Sequence, residues 1–410
     1  MTKAVAPAIA VLMLVGCGPQ NEHRGVDRRI SAVENGLVEF VPGEESPTTT
    51  PKPLGLAERM AVHHVPGVGI AVFKGGKLDW VKGYGVLKAG TDSPVTEKTL
   101  FQAASTTKML VAATALRFVG QGKLDLDADV NDTLKSWKVP ENEFTQESKV
   151  TLRLLLTHQS GLPTTNFPTD DGPPPTLVQV LKGEPPARNK PALVGFPPGS
   201  KWQYSNIGYV VVQLLLEDLT GQPLARLMRD VVFSPLGMTS STLEYPIPAD
   251  QRPFEIAPHE AEGKPGEPAM DGTARAQGGL MTTPRDLALF CAEIVRAYHG
   301  ESDRLLNQEM ARLMLRPEVD LDPALLGMPL REGLGVILSP PGEPFWFGHP
   351  GDNYPGASCW TTAYPNLGVG IVIMTNGAMG NLLVQEILPA FVAEYVAPVA
   401  AVAKRPRPSE

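Results

Sequence analysis

The sequence predicts an α/β (α+β) fold: one antiparallel sheet built from N- and C-terminal strands and flanked by helices, with an all-helical lobe inserted between them. Three observations carry this: a β-rich hairpin early in the chain, a middle dominated by helical periodicity, and three short apolar runs before a last helix. The hairpin is the pair of runs 68–73 and 78–81, joined across Lys74-Gly75-Gly76-Lys77, a two-glycine turn signal. From Ser105 onward the period becomes helical. Met109, Ala112, Ala113, Leu116 and Val119 fall on one face, and Gly120 and Gly122 mark its stop. Further helical stretches are expected at 152–156, 209–219, 224–231 and 286–298. A Pro-rich excursion over 163–198 interrupts them; it is longer than ordinary connections and is expected as a surface loop or lid. Strand character returns at 345–349, 358–363 and 368–374, with Tyr364-Pro365-Asn366 as a hairpin turn. A terminal helix is expected over 381–395. The folded domain is thus placed at 54–396, with its helical lobe over about 105–330 and a Pro-rich tail at 397–410.

The remaining N-terminal residues read differently. After Met1-Thr2-Lys3 comes an apolar run from Ala4 to Val15, shorter than the roughly 20 residues a spanning helix needs. It reads as an export signal, residues 1–16. Leu14-Val15-Gly16-Cys17 resembles a bacterial lipobox, which would make Cys17 the lipidated first residue of the mature chain. The plainer alternative is a secretory signal with a chance cysteine. Gly18 stands where Asp would mark inner-membrane retention, so the expected location is exported and lipid-anchored at the envelope, at the outer membrane where the host has one. Residues 17–53 are polar and end in Pro47-Thr48-Thr49-Thr50-Pro51-Lys52-Pro53; they are expected to be a tether, partly structured around 30–40.

Composition narrows the function. The chain has 42% hydrophobic and 20% charged residues, a globular balance. Its net charge of −8 carries no basic stripe, so no nucleic-acid partner is expected, and the membrane is engaged through the lipid anchor only. Cys291 and Cys359 lie in apolar segments and read as buried thiols, although export would permit oxidation. The seven histidines are scattered, and no metal or other cofactor is expected.

Ser105-Thr106-Thr107-Lys108 is the one Ser-x-x-Lys in the chain. Three residues along a helix bring both side chains to one face, at an N-terminus whose free N–H groups suit a developing oxyanion. A serine hydroxyl becomes nucleophilic when a neighbour removes its proton, and a buried lysine can do so. The same pattern also describes an ordinary N-capped helix. Tyr204-Ser205-Asn206 follows at the start of another helical run. A tyrosine there can relay protons, and an asparagine can hold a substrate amide and the lysine together. Gly348-His349-Pro350-Gly351, before Asp352, ends a late strand where glycine permits close ligand approach. The order of the three elements carries more than any one of them.

On these motifs the chain resembles the serine β-lactamase-like superfamily, in the class C-like branch of DD-peptidases, D-aminopeptidases and esterases. The resemblance runs from about residue 65 to 395. It includes Val65-Pro66-Gly67-Val68, the stretch from Leu155 to Pro163 containing Thr157-His158-Gln159-Ser160-Gly161, Pro235-Leu236-Gly237-Met238, and Gly278-Gly279-Leu280-Met281-Thr282-Thr283-Pro284-Arg285-Asp286. It implies a β-lactamase/transpeptidase-like fold and an acylated nucleophile, Ser105, with Lys108 and Tyr204 as base and acid. It also makes Asn206, His349, Gly351 and Asp352 substrate-binding residues, with the N–H groups of Ser105 and Asp352 forming the oxyanion hole. The substrate is a small molecule or peptide; the motifs encode no oligomeric state. His158 could suggest a triad with Ser105, but its place in the motif implies a structural hydrogen bond; Asp286 reads as a helix-start residue.

The departure from the family pattern lies at His349-Pro350-Gly351, where most members have Lys-Thr-Gly. A permanent positive charge and a hydroxyl are absent, Pro350 has no N–H, and Asp352 adds a negative charge nearby. Anionic substrate tails are therefore disfavoured. Neutral esters or amides, or substrates with a free amine, rank above β-lactams and terminal D-alanyl carboxylates. The alternative from a different class is a non-catalytic member that binds cell-wall peptides or a protein partner.

Overall fold

A computed structural model describes residues 19–41, 52–164, 173–267, 272–323 and 328–398. β1 (Gly67–Lys74) and β2 (Lys77–Gly85) form the expected hairpin, with Gly75 and Gly76 at φ +59° and +67° in its turn, a conformation that glycine adopts without strain. β1 is buried along almost its whole length because both sheet faces are covered. Val68, Ile70 and Val72 pack with Ile371, Ile373 and Leu383, while Ala71 and Phe73 pack on the other face with Val372 and Met374. That explains a continuous apolar run where a half-exposed strand would alternate.

The sheet continues from β1 through β10 (Val369–Thr375), β9 (Ala357–Tyr364) and β8 (Phe347–Asn353). It ends in three two-residue strands, β7 (Ile337–Leu338), β6 (Arg331–Glu332) and β5 (Val319–Asp320). The order is β2-β1-β10-β9-β8-β7-β6-β5, antiparallel at every pairing. β8 starts two residues later than expected and runs on through Asp352 and Asn353, so the His-Pro-Gly motif lies inside the strand, not at its end. At two residues each, β5 to β7 are too short for a periodicity to register. They draw residues 319–320, 331–332 and 337–338 into the sheet, so the lobe expected to reach about 330 yields to strand at β5. A separate pair, β3 (Phe101–Gln102) and β4 (Met281–Thr282), ties the chain before Ser105 to the stretch after Gln277.

α1 (Pro19–Glu34) corrects the tether expectation over its first half. Val33 and Leu37 are fully buried, Arg29 forks onto the Asp79 carboxylate at 2.9 and 2.6 Å, and Arg28 reaches Glu394 at 2.6 Å. Leu37 then bridges to Leu54, leading into α2 (Leu56–Val62). Apolar residues at helical spacing, hidden in a polar composition, put this segment on the domain's outer face. Cys17 and the export signal lie outside the described residues, as do the Pro/Thr run at 47–51 and the tail from 399.

The lobe is centred on α3 (Thr107–Gly120), buried along most of its length. Around it stand α4 (Leu152–Leu156), α5 (Leu177–Lys182), α6 (Asn206–Thr220), α7 (Leu224–Met228) and α8 (Ser234–Leu236). α5 corrects the reading of the Pro-rich excursion as surface loop. Thr176 and Gln179 form a capping box, and Leu177, Val180 and Leu181 are buried in the main core, although 165–172 lie outside the described residues. α9 (Pro284–His299), followed by α10 (Gln308–Met314), covers one sheet face, and α11 (Gly380–Phe391) covers the other with α1. Among the described residues, no helix is long and apolar enough to cross a membrane.

Candidate active site

Ser105 sits in the short turn Ala104–Thr106 that feeds α3. Ala104 has φ +45°, left-handed for a residue with a side chain. Thr107 holds the bend: its Oγ1 donates to Ala104 O at 2.6 Å and accepts from the Leu280 N–H at 3.2 Å. Thr106 and Thr107 are buried, leaving Ser105 partly exposed between them and the cleft.

Lys108 is fully buried. Its Nζ donates to Ser105 Oγ at 3.2 Å, to Asn206 Oδ1 at 3.0 Å and to the Gln277 carbonyl at 2.6 Å, three acceptors for the three donors of an ammonium. The rings of Tyr204 and Tyr209 stand 4.8 and 5.4 Å from Nζ. Tyr204 donates its phenol proton to Ser105 Oγ at 2.8 Å. Burial pushes that phenol well above its ordinary pKa, partly offset by the bond to Ser105. The structure therefore brings Ser105, Lys108, Tyr204 and Asn206 together. α3 supplies the lysine, and the N-terminus of α6, capped by Ser205 on the Gly208 N–H, supplies the asparagine.

β8 forms the opposite wall. A Cβ at Gly351 would lie 2.2 Å from Ala103 O and 3.1 Å from Thr106 N, so this glycine lets the strand press against the turn bearing the nucleophile. The His349 carbonyl accepts from Thr106 Oγ1 at 3.1 Å, and its N–H donates to Thr361 Oγ1 at 3.0 Å. The buried His349 ring contacts its neighbouring Pro350 carbonyl through Nδ1 at 2.5 Å. Burial, then the Lys108 charge, push its pKa down to about 3, so it is a neutral imidazole at physiological pH. β7 pairs with β8 only at Phe347 and Gly348. Beyond that point, among the described residues, the edge of β8 away from β9 has no strand partner.

Asp352 requires a correction. One residue from Gly351, it points to the other face of the sheet, where its carboxylate accepts from Ser358 Oγ at 2.5 Å. Its pKa is raised by desolvation against that hydrogen bond. The carboxylate therefore does not bring charge into the cleft, and the argument against anionic substrates rests on His349 and Pro350.

His158 matches its structural reading: its Nδ1 accepts the Ser205 N–H at 3.0 Å. Asp286 accepts from the Ser240 N–H and Ser241 Oγ at 2.8 and 2.9 Å, at the start of α9. Cys291 and Cys359 are buried free thiols, as expected. Sequence reasoning missed Gln277, whose carbonyl takes part and leaves no side-chain signal. It also missed Glu332, which the neighbouring Arg331 disguises as a solvated strand position.

A serine that receives hydrogen bonds from both a buried lysine and a tyrosine, between a helical lobe and an open sheet edge, defines the class of two-lobed Ser-Lys-Tyr proteins. Comparison with known proteins agrees. The beta-lactamase family model matches residues 56–388, and the chain belongs to that family of serine hydrolases. It is 29% identical over 364 residues to penicillin-binding protein 4 of Amycolatopsis lactamdurans, covering 84% of this chain and 91% of that protein. It is 32% identical over 209 residues to esterase EstB of Burkholderia gladioli, covering 48% of this chain and 52% of that one. In structure it resembles a mutant class C beta-lactamase, with a TM-score of 0.63 at 21% identity over 82% of this chain and 95% of the other.

Proposed function

We propose that the chain is an envelope-anchored serine hydrolase that cleaves ester or amide bonds through an acyl-enzyme, as an esterase or D-amino-acid peptidase. The observation that carries this is Ser105 Oγ receiving both Lys108 Nζ and the Tyr204 hydroxyl. With Lys108 unprotonated, the Ser105 proton passes to Nζ as Oγ attacks the substrate carbonyl carbon. Negative charge develops on the carbonyl oxygen, facing the N–H groups of Ser105 and Asp352. The bond to the leaving group then breaks as the Tyr204 phenol gives it a proton, and the Lys108 ammonium reprotonates the phenolate. The raised phenol pKa fits this division, since it keeps Tyr204 a donor and leaves the base role to the amine. Water repeats the sequence on the acyl ester and returns the proton to Ser105.

A neutral His349 in place of a lysine supports uncharged or amine-bearing substrates over those with a carboxylate tail. The relatives' names, a penicillin-binding protein and an esterase, span the same range of acyl chemistry. Anchoring rests on Leu14-Val15-Gly16-Cys17. The test is turnover of a p-nitrophenyl ester, a D-alanine p-nitroanilide and nitrocefin by wild type and Ser105→Ala. Ser105-dependent cleavage of either of the first two, with nitrocefin far slower, is expected. Nitrocefin turnover at the rate of a dedicated β-lactamase would overturn the specificity argument.

A further inference from the structure

Behind Tyr204 lies a buried pair that the proposed chemistry does not use. Glu332 on β6 and His158 after α4 are almost completely buried. The Glu332 Oε2 accepts from the Trp202 indole N–H. Its Oε1 has no hydrogen-bond partner and faces His158 Nε2, also unpartnered, at 3.8 Å. Buried polar atoms are nearly always paired, so two orphans facing each other call for a reason.

The protonation pattern supplies one. His158 Nδ1 accepts the Ser205 N–H, so the neutral ring carries its proton on Nε2. That N–H can bond Glu332 Oε1 when the carboxyl is ionised, whereas a proton on Oε1, the oxygen that Trp202 leaves free, sets two donors face to face. The His158 ring packs on the Tyr204 ring with centroids 4.3 Å apart and lies 5.5 Å from that of Tyr209, the same two rings that flank Lys108 Nζ.

We propose that Glu332, paired with His158 behind the Tyr204 ring, is a positioning residue that sets how readily Lys108 gives up its proton. The charge of an ionised Glu332 favours the Lys108 ammonium across those two rings; a protonated Glu332 removes that charge and favours the free amine. Burial pushes the Glu332 carboxyl up to about 8, with the Trp202 bond and the Lys108 charge pulling the other way, so the switch lies near physiological pH. Other charged and titratable groups around the pair leave Glu332 this role. Tyr204 and Tyr209 are held neutral, each with a pKa raised first by burial and then by Glu332 among its neighbours. His349 is neutral, and burial, then the Lys108 charge, keep His158 neutral as well. Arg331 Nε is engaged by Ser339 O, and the Glu318 carboxylate by Arg153 and Arg316.

The inference rests on the hydrolase reading for its kinetic consequence but not for its direct test. That test is an NMR titration of Lys108 Cε in protein with 13C-labelled lysine, its signal assigned with Lys108→Met, in wild type, Glu332→Gln and Trp202→Phe. Glu332→Gln is expected to lower the Lys108 midpoint by about 1 pH unit. Trp202→Phe removes a bond that favours the ionised carboxylate, so it should move the midpoint the same way by less, and it serves should Glu332→Gln not fold. An unmoved midpoint in both folded variants overturns the proposal. The acid limb of kcat/KM should shift by the same amount at unchanged KM. Absence of Ser105-dependent turnover would sink the hydrolase reading alone, and the NMR midpoint would still decide this one.

Discussion

Gly351→Ala probes the contact between the nucleophile's turn and the sheet. The new methyl would stand 2.2 Å from Ala103 O and 3.0 Å from Thr106 Oγ1, so strand and turn must part by about 1 Å to reach even a tight ordinary contact. Neither neighbour yields easily. Ala103 is fully buried and donates its N–H to Leu280 O at 2.9 Å, and the Thr106 hydroxyl is committed to His349 O. Overpacking of this kind costs about 2 kcal/mol, which in a domain of this size lowers Tm by about 3 °C. The kinetic effect should be larger, because a displacement of about 1 Å between nucleophile and substrate wall costs about 100-fold in rate. Calorimetry and ester kinetics on the same preparation read both. Wild-type kcat/KM together with wild-type Tm would refute the claim that Gly351 sets the spacing of the cleft.

Two further outcomes follow from named contacts, and a third from the sequence alone. Lys108→Met should reduce acylation by about 1,000-fold or more while Tm stays within a few degrees of wild type, because an apolar chain of similar length replaces a buried charge; a globally unfolded variant would contradict this. His349, at about 3 in the fold and about 6.5 unfolded, stabilises as the neutral form above pH 6.5, and that stability is lost as pH falls through the window from 6.5 to 3. Going from pH 7.5 to 5.0 should therefore cost wild type about 2 kcal/mol more than His349→Asn in urea unfolding, and equal losses would show that the imidazole is not held neutral. Cells fed an alkyne palmitate should label wild type and not Cys17→Ala, and labelling of neither would remove the anchor.

The large elements were legible because their signals are long. A two-glycine hairpin, a periodic helix after Ser105 and three apolar runs near the end predict the sheet and the lobe, and 152–156 coincides with α4. What escaped was either too short or set by tertiary packing. β5 to β7 hold two residues each, and α1 owes its place to Asp79 and Glu394, distant in sequence. The same division runs through the site. Ser105, Lys108, Tyr204 and Asn206 carry their chemistry in their side chains and converge as expected. The Gln277 carbonyl and the Glu332–His158 pair acquire meaning only from burial, and the direction of the Asp352 carboxylate followed from strand parity once β8 was known to extend past Gly351.

The account stands on a reactive hydroxyl at position 105, and covalent capture tests it most directly. Wild type, Ser105→Ala and Lys108→Met are exposed to a fluorophosphonate, followed by intact mass and peptide mapping. One adduct per chain, mapped to Ser105, absent from Ser105→Ala and strongly slowed in Lys108→Met, is the expected result. An unmodified wild type, or an adduct on any other residue, would contradict the hydrolase and favour a protein that binds cell-wall peptides or a partner without cleaving them.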